Sequence, residues 1–229
     1  MTAHSAAPRR LFSVQAVSRW ASVGSSSLMI ASLAALVAVS VAFPLAYFLW
    51  RYRVRYGAAL YGLGVAPFML PPVITALGFL VFWTHTPISG SVITTLVSHG
   101  MFFVTLPLVT ITLGLHSIDR QVIEASTTLG ADEATVFRTI VLPLVTPYLV
   151  SGYAFAFVLS LNEYIVAFMV AGLTVETLPI KIFNSLRYGY TPVMAAVSVM
   201  FVLVGVIVYG AIARFGDLPK LLGAWSARD

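Results

Sequence analysis

Long apolar runs separated by short charged segments are the main feature of this 229-residue chain. No Asp, Glu, Lys or Arg occurs from residue 20 to 50 or from residue 56 to 118. A helix needs about 20 apolar residues to cross a bilayer, so the first run holds one span and the second holds two. The breaker-rich stretch 87–91 predicts the turn between those two. The whole pattern predicts five transmembrane helices, at roughly 27–50, 60–83, 92–115, 146–171 and 192–213.

The first predicted span carries a stripe of small residues on one face, and the second carries several prolines. Small residues let helix backbones approach closely in a membrane, although alanine is also common in apolar helices without that role. Prolines inside a span predict a break or kink, for gating or simply for packing. The small residues are Ala31, Ala34, Ala35, Ala38 and Ala42, and the prolines are Pro67, Pro71 and Pro72.

The composition favours a membrane environment over water. The chain is 59% hydrophobic and 9% charged, whereas soluble domains carry about 25% charged residues. Its net charge of +5 does not indicate a nucleic-acid partner, because the 13 Lys and Arg residues lie dispersed at the ends of apolar runs. Cysteine is absent, which excludes disulfides, thiolate metal sites and cysteine nucleophiles. The predicted fold class is all-α, a polytopic bundle of about five transmembrane helices in contact with lipid.

The distribution of basic residues predicts which parts of the chain face the cytoplasm. If the arginine-rich loop 51–55 is cytoplasmic, the polar segment 116–145 and the tail 216–229 lie on the same side, together with most Lys and Arg residues. Residues 1–27 are a predicted lead-in, either an interfacial helix or a disordered segment, because 11–27 is too polar to span. The transmembrane domain is predicted to cover 28–215.

The polar segment 119–143 predicts two short helices around a glycine. Gly130 is suited to the left-handed conformation that caps the first helix. Asp132 and Glu133 then fall in the first turn of the second helix, where the helix dipole favours acidic residues. Pro143 is predicted to end the second helix. An apolar face of the second helix is formed by Val136, Phe137, Ile140 and Val141.

That apolar face must be shielded from water, and the residues alone do not decide which of three surfaces buries it. It can lie on lipid headgroups, pack under its own helix bundle, or dock on a partner protein. The next span is predicted to open near Thr146, with Pro147 in its first turn.

The same segment resembles the EAA loop of binding-protein-dependent permeases of ATP-binding-cassette (ABC) importers. That loop has the pattern E-A-A-x-x-x-G, followed at a fixed distance by L-P. The third position here is serine, a mild departure. The matching residues are Glu124, Ala125, Ser126, Gly130, Leu142 and Pro143, followed by Pro147 and Gly152.

The resemblance implies a mechanical role without catalysis, in a bacterial inner membrane. In that family the loop is a coupling helix seated on a separate ATPase, and closure of two ATPase subunits switches the permease between inward and outward access. It also implies a second permease, identical or different, and an extracellular or periplasmic solute-binding protein. ATP belongs to the ATPase partner, so no cofactor is expected on this chain. The residues assigned to coupling are Glu124, Ala125, Ser126, Leu129, Gly130, Ala131, Phe137, Leu142 and Pro143. Within this set, Phe137 and Leu142 are expected to brace the hairpin against its own bundle.

The second half of the chain resembles spermidine/putrescine-type permeases. The resemblance lies in the stretches 162–166, 178–183 and 191–192, and extends over about 28–215. Such permeases usually have one span more, so a first family helix is either absent or lies upstream of the given start. The resemblance implies a small solute, with a polyamine favoured. The alternative is a stand-alone secondary transporter of a small cationic solute, which usually needs paired ion-coupling residues and an internal repeat.

Glu163 is the outstanding candidate inside the membrane. A carboxylate at that depth costs about 2.5 kcal/mol or more, so it should face the pathway or a partner charge, where it suits a cationic substrate. The alternative is a solvated residue near the outer headgroups. Aromatic rings can attract an alkyl-ammonium group, although they more often pack or mark the interface. The predicted pathway residues are Asn162, Glu163, Tyr164 and Trp83.

Sequence signatures of catalysis or metal binding are missing. The histidines at 85, 99 and 116 show no i, i+4 pairing and no H-E-x-x-H occurs, so no metal site is predicted. Neither G-x-x-x-x-G-K-[ST] nor G-x-S-x-G is present, which argues against a P-loop and a serine-hydrolase elbow. The chain is therefore predicted not to be an enzyme.

Overall fold

The computed structural model describes residues 14–52, 54–188 and 192–215, and these residues contain helices and no strand. The predicted all-α fold class is confirmed. The predicted tail 216–229 and residues 1–13 of the predicted lead-in lie outside the described residues. The helices are α1 Val14–Arg51, α2 Gly57–Met69, α3 Pro72–Thr84, α4 Val92–Phe102, α5 Thr105–His116, α6 Arg120–Thr128, α7 Glu133–Val136, α8 Leu142–Asn162, α9 Ile165–Ala171, α10 Leu178–Tyr188 and α11 Pro192–Phe215.

Two helices of the described chain are long and apolar enough to cross a membrane by themselves. They cover Ser18–Arg51 and Glu133–Asn162. The pairs α2–α3 and α4–α5 pass the same test only when each bent pair is taken as one span. A shorter apolar stretch, Ala195–Val208, lies in α11. The structure therefore gives up to four spans by length and composition, compared with the five that the sequence predicts.

The predicted span 60–83 is not one straight helix. α2 and α3 meet at an angle of 106°. Leu70 and Pro71 each precede a proline, and both adopt extended ψ angles, 149° and 134°. Proline disfavours the α conformation in the residue before it, so the double proline forces the break. The predicted break in this span is confirmed, whereas Pro67 remains inside α2.

The N-terminal boundary also differs from the prediction. α1 is a single helix from Val14 to Arg51, so no separate lead-in ends at residue 27. The polar residues of its first half are accommodated because the hydroxyls of Ser22, Ser25 and Ser26 donate to backbone carbonyls of the same helix. Ser27 is buried, and its hydroxyl oxygen accepts a 2.7 Å hydrogen bond from the N–H of Leu178 in α10.

The alanine stripe of α1 lies in the centre of the bundle. All five alanines predicted for close packing are at most 1% exposed, and α1 packs against α4, α5 and α8. A Cβ atom placed on Gly100 of α4 would lie 3.2 Å from the carbonyl oxygen of Ala34. The stripe therefore lets neighbouring backbones approach α1, as predicted.

The predicted span 146–171 starts earlier and is interrupted. α8 begins at Leu142, so Pro147 lies inside it. The helix ends at Asn162, and Glu163 adopts an extended conformation with ψ 126° before α9 begins. The predicted turn before α4 is confirmed, because Gly90 has a φ of +73°. The hydroxyl of Thr174, after α9, donates to the carbonyl of Gly90, which joins the two turns at this end of the bundle.

Candidate functional site

The first half of the candidate site is the hairpin formed by α6 and α7, which reverses at Gly130. Gly130 has a φ of +89°, the left-handed conformation that the sequence predicts. Its N–H donates to the carbonyl of Thr127 at 3.0 Å, and the N–H of Ala131 donates to that of Ser126 at 3.0 Å. This pair of bonds is the Schellman pattern, which satisfies the last carbonyls of α6.

The second helix of the hairpin starts with a capping aspartate. The carboxylate of Asp132 accepts a 2.9 Å hydrogen bond from the N–H of Thr135. Hydrogen bonds from the side chain and backbone of Thr135 lower the pKa of Asp132. The sequence predicts Asp132 inside the first turn, whereas the structure places it one position earlier, at the N-cap, with Glu133 as the first helical residue.

The sequence prediction that Pro143 ends this second helix is wrong. Residues Phe137–Val141 form a π-helical turn, in which the N–H of Leu142 donates to the carbonyl of Phe137. The wider turn leads directly into α8, where Pro143 occupies the first turn. Consequently Glu133–Asn162 is one continuous 30-residue helix, about 45 Å long at 1.5 Å per residue.

The apolar face of the hairpin packs against its own bundle. Val136 and Val141 are buried among residues of α1 and α5, with Ile140 partly buried beside them. The ring of Phe137 contacts that of Tyr47 edge-on, with centroids 5.1 Å apart. The sequence leaves lipid headgroups, the chain's own helix bundle and a partner protein as surfaces that could bury this apolar face. In the structure, the helix bundle buries it.

An ion pair adds a second contact between α1 and the hairpin. A guanidinium nitrogen of Arg51, the last residue of α1, bonds a carboxylate oxygen of Glu133. The two side chains are 41% and 69% exposed and line a cavity of about 270 Å³ beneath the hairpin. An ion pair this exposed contributes less than about 1 kcal/mol, so the aromatic contact is the stronger attachment.

Phe137→Ala is therefore expected to destabilise the protein by about 2–3 kcal/mol, the loss of a partly buried aromatic ring. Arg51→Ala is the matched comparison and is expected to cost less than about 1 kcal/mol. Thermal unfolding in detergent measures both. A larger loss for Arg51→Ala than for Phe137→Ala would show that the ion pair, and not the ring, holds the hairpin.

The opposite face of the hairpin is exposed. Leu129, immediately before Gly130, is 88% exposed. Val122, seven residues earlier and so on the same helical face, is 49% exposed, and a group of exposed apolar side chains is typical of a surface that binds a partner. The predicted coupling residues are thus divided by the structure. Those exposed are Glu124, Ala125, Leu129, Gly130 and Pro143, and those partly buried are Ser126, Ala131, Phe137 and Leu142.

The second half of the candidate site is the break between α8 and α9, which contains Glu163. The carboxylate oxygens of Glu163 accept hydrogen bonds from the backbone N–H groups of Ile165, Val166 and Ala167, at 2.8 to 3.1 Å. Its side chain is 8% exposed. The predicted alternative of a solvated residue near the headgroups does not fit this burial.

A histidine that the sequence reasoning did not connect with this site faces the same carboxylate. Nε2 of His99 lies 3.3 Å from Oε2 of Glu163, an ion-pair distance with an orientation off the line of a hydrogen bond. Nδ1 of His99 lies 2.8 Å from the hydroxyl oxygen of Ser160. The usable signal was that His99 and Glu163 are both ionisable residues inside uncharged runs, since such residues usually pair.

The remaining predicted pathway residues lie on both sides of the break. The amide nitrogen of Asn162 donates to the carbonyl of Val158 at 2.8 Å. The ring of Tyr164 packs against Phe183, with centroids 4.5 Å apart. Trp83 is buried, and its indole N–H donates to the hydroxyl of Ser98 at 2.8 Å, so it does not line an open surface in this structure. Their roles in transport stay predictions.

In residues 14–52, 54–188 and 192–215, no group of three or more His, Asp or Glu side chains is placed to hold a metal ion.

A polytopic helix bundle with an exposed polar hairpin is compatible with a membrane permease. Consistent with this, residues 38–217 match the family described as binding-protein-dependent transport system inner membrane component. The chain belongs to this family, and it is the multi-pass inner-membrane permease subunit of an ABC importer.

Two named relatives are similar over most of the chain. The spermidine/putrescine transport system permease protein PotC of Haemophilus influenzae is 37% identical over 180 residues, which cover 77% of this chain and 69% of the relative. The putrescine transport system permease protein PotI of Escherichia coli is 33% identical over 199 residues, covering 82% and 71%.

Solved structures share the fold at low identity. An inward-facing structure of the MetNI methionine ABC transporter matches with a TM-score of 0.66 and 17% identity, covering 82% of this chain and 90% of that one. An amino acid ABC transporter crystallised with histidines gives a TM-score of 0.67 and 14% identity, covering 88% and 94%.

Proposed function

We propose that this permease forms half of the translocation pathway for a polyamine such as putrescine or spermidine. The observation that supports this substrate is the similarity to two permeases named for these compounds, at 33 and 37% identity over most of the chain. The aromatic pair of Tyr164 and Phe183 beside the break is compatible with a flexible alkyl-ammonium substrate. Asn162 and Tyr164 are the proposed pathway residues.

We further infer that the α6–α7 hairpin docks on a separate ATPase subunit. The uncovered Leu129 supports this inference, because the other face of the hairpin is already packed on the bundle. The docking surface consists of Glu124, Ala125, Leu129 and Gly130, while Phe137 and Leu142 attach the hairpin to the bundle. Movement imposed on the hairpin would reach the far side of the bundle through the continuous helix Glu133–Asn162.

The complete transporter then contains more than this chain. Two ATPase subunits supply the energy, a second permease of the same or different sequence completes the pathway, and an external solute-binding protein delivers the substrate. ATP binds to the ATPase subunits, and this chain needs no cofactor of its own.

Uptake of radiolabelled putrescine by proteoliposomes that contain the complete transporter tests the substrate and the energy source together. We expect uptake only when ATP and the solute-binding protein are both present, and no effect of ionophores that collapse ion gradients. Uptake that does not depend on ATP and is abolished by the ionophore would instead support a stand-alone secondary transporter. Absence of putrescine and spermidine uptake, with ATP hydrolysis intact, would reject the polyamine substrate.

Glu124→Arg tests the docking surface. The side chain is exposed but lines the same cavity as Arg51 and Arg120, so the substitution reverses the charge at the proposed contact, and an unchanged melting temperature in detergent is required to show that the fold is intact. We expect uptake to fall at least about tenfold, as for a lost charged contact at an interface, with normal amounts of protein in the membrane. Glu124→Asp keeps the charge and is expected to retain most of the uptake. Normal transport by the arginine variant would contradict the docking role.

A further inference from the structure

Both carboxylate oxygens of Glu163 accept hydrogen bonds from the protein itself. A helix start leaves backbone N–H groups without partners, and in a membrane these groups find no water. Here Oε1 accepts from Ile165 and Val166, and Oε2 accepts from Val166 and Ala167 while facing His99. A carboxylate offers about four acceptor positions. Three N–H groups, that of Val166 shared between both oxygens, occupy these positions, and the ring of His99 faces Oε2 beside them.

His99 connects this carboxylate to a second helix. If the Ser160 hydroxyl donates to Nδ1, the neutral ring carries its proton on Nε2, which points toward Glu163. If the ring is doubly protonated, Nδ1 donates to Ser160 and Nε2 again carries a proton. In both arrangements Nε2 carries a proton and lies 3.3 Å from Oε2 of Glu163, an electrostatic contact that is off the line of a hydrogen bond. α4, the end of α8 and the start of α9 therefore meet at one polar cluster, Ser160–His99–Glu163.

The position of this cluster along the chain gives it a role in transport. α8 is continuous with the second helix of the α6–α7 hairpin, and its other end is the break at Glu163. A shift of the hairpin along the helix axis would therefore move the break relative to α4, which carries His99. Asn162 and Tyr164, the proposed pathway residues, flank Glu163 directly.

We propose that Glu163 and His99 are positioning residues that hold the α8–α9 break in place, and that Glu163 does not bind the substrate. The proposal rests on the proposed function in so far as the break lies beside the substrate pathway. Glu163 fixes the start of α9, and His99 fixes Glu163 against α4.

A matched pair of neutral variants separates a capping role from substrate binding. Gln and Ala both remove the charge, but Gln keeps an acceptor oxygen within reach of the N–H groups at the start of α9 and Ala keeps none. For putrescine uptake by the complete transporter, we expect Glu163→Gln to keep at least about half of the wild-type Vmax, and Glu163→Ala to lose about tenfold in Vmax at unchanged KM. If the charge binds the substrate, both variants will instead raise KM to a similar extent, which would overturn the proposal.

Thermal unfolding in detergent provides a readout that does not depend on the substrate. We expect Glu163→Ala to melt at least about 3 °C below Glu163→Gln. Equal melting temperatures for the two variants would overturn the capping role, even if the wild-type protein transported no polyamine. A failure of the substrate proposal is seen separately, as absence of putrescine uptake by the wild type.

His99 is tested by rescue with a conservative variant. Gln keeps an N–H donor at this position, whereas Phe fills a similar volume without one. We expect His99→Gln to keep Vmax and KM within about threefold of the wild type, and His99→Phe to lower Vmax about tenfold at unchanged KM. Equal uptake by the two variants would show that the N–H donor of His99 does not help to position Glu163, and would overturn its role in the cluster.

Discussion

Gly130→Val is expected to abolish substrate uptake while the protein still accumulates in the membrane. Gly130 has a φ of +89°, and a Cβ atom there would meet no other atom within 4 Å. The cost of a side chain is therefore conformational, about 1–2 kcal/mol for an ordinary L-residue, and it is higher for a β-branched one. The nine-residue helix α6 is too short to be stable alone, so the strain would be relieved by refolding the hairpin tip.

Gly130→Asn is the matched control, because asparagine tolerates the left-handed conformation far better than valine. We expect the asparagine variant to retain a substantial part of the uptake. Uptake assays and quantification of the protein in membranes distinguish a local change at the tip from general misfolding. Normal uptake by Gly130→Val would show that the orientation of the hairpin tip is not needed for transport.

Gly152→Leu is expected to prevent stable folding. A Cβ atom at Gly152 in α8 would lie 2.6 Å from the Cα atom of Pro107 and 2.6 Å from the hydroxyl oxygen of Thr110, both in α5. Backbone atoms cannot move aside as a flexible side chain can, so the two helices must separate. Even a single added methyl group in such a contact costs about 1–3 kcal/mol, and a leucine side chain adds to that.

Gly78→Leu is the control for this effect. Gly78 lies in α3 and is exposed, and a Cβ atom added to it would meet no other atom within 4 Å. We expect this variant to accumulate and to melt like the wild-type protein in detergent, whereas Gly152→Leu should accumulate poorly and melt at a lower temperature. A normal melting temperature for Gly152→Leu would show that α5 and α8 are not tightly packed.

Local signals were sufficient to predict the hairpin and the alanine stripe. The cap at Gly130 depends on residues within one turn, and the buried face of α1 follows from helical periodicity. Neither requires knowledge of a distant part of the chain. The double proline before α3 likewise acts on its immediate neighbours.

Features that depend on the rest of the fold could not be predicted in this way. The π-helical turn at Phe137–Val141 lets Pro143 continue a helix that the sequence predicts to end. The break at Glu163 interrupts a run that has the pattern of one apolar span. His99 lies 64 positions before Glu163, so their contact becomes visible only when α4 packs beside α8.

The sidedness of the α6–α7 hairpin decides whether an ATPase can drive this permease. The chain contains no cysteine, so an introduced cysteine provides its only thiol, and the labelled band is identified after purification of this chain. Leu129 at the hairpin tip is 88% exposed, and Leu173 in the turn after α9 is 98% exposed. These two residues lie beyond opposite ends of the continuous helix Glu133–Asn162.

Labelling of Leu129→Cys with a membrane-impermeant maleimide is therefore the most direct measurement. We expect this thiol to react in inside-out vesicles, to remain unreacted in spheroplasts, and to be protected when the ATPase subunits are bound. Leu173→Cys should show the opposite sidedness. Reaction of Leu129→Cys from the outside, or no protection by the ATPase, would contradict the assignment of the hairpin as the coupling element.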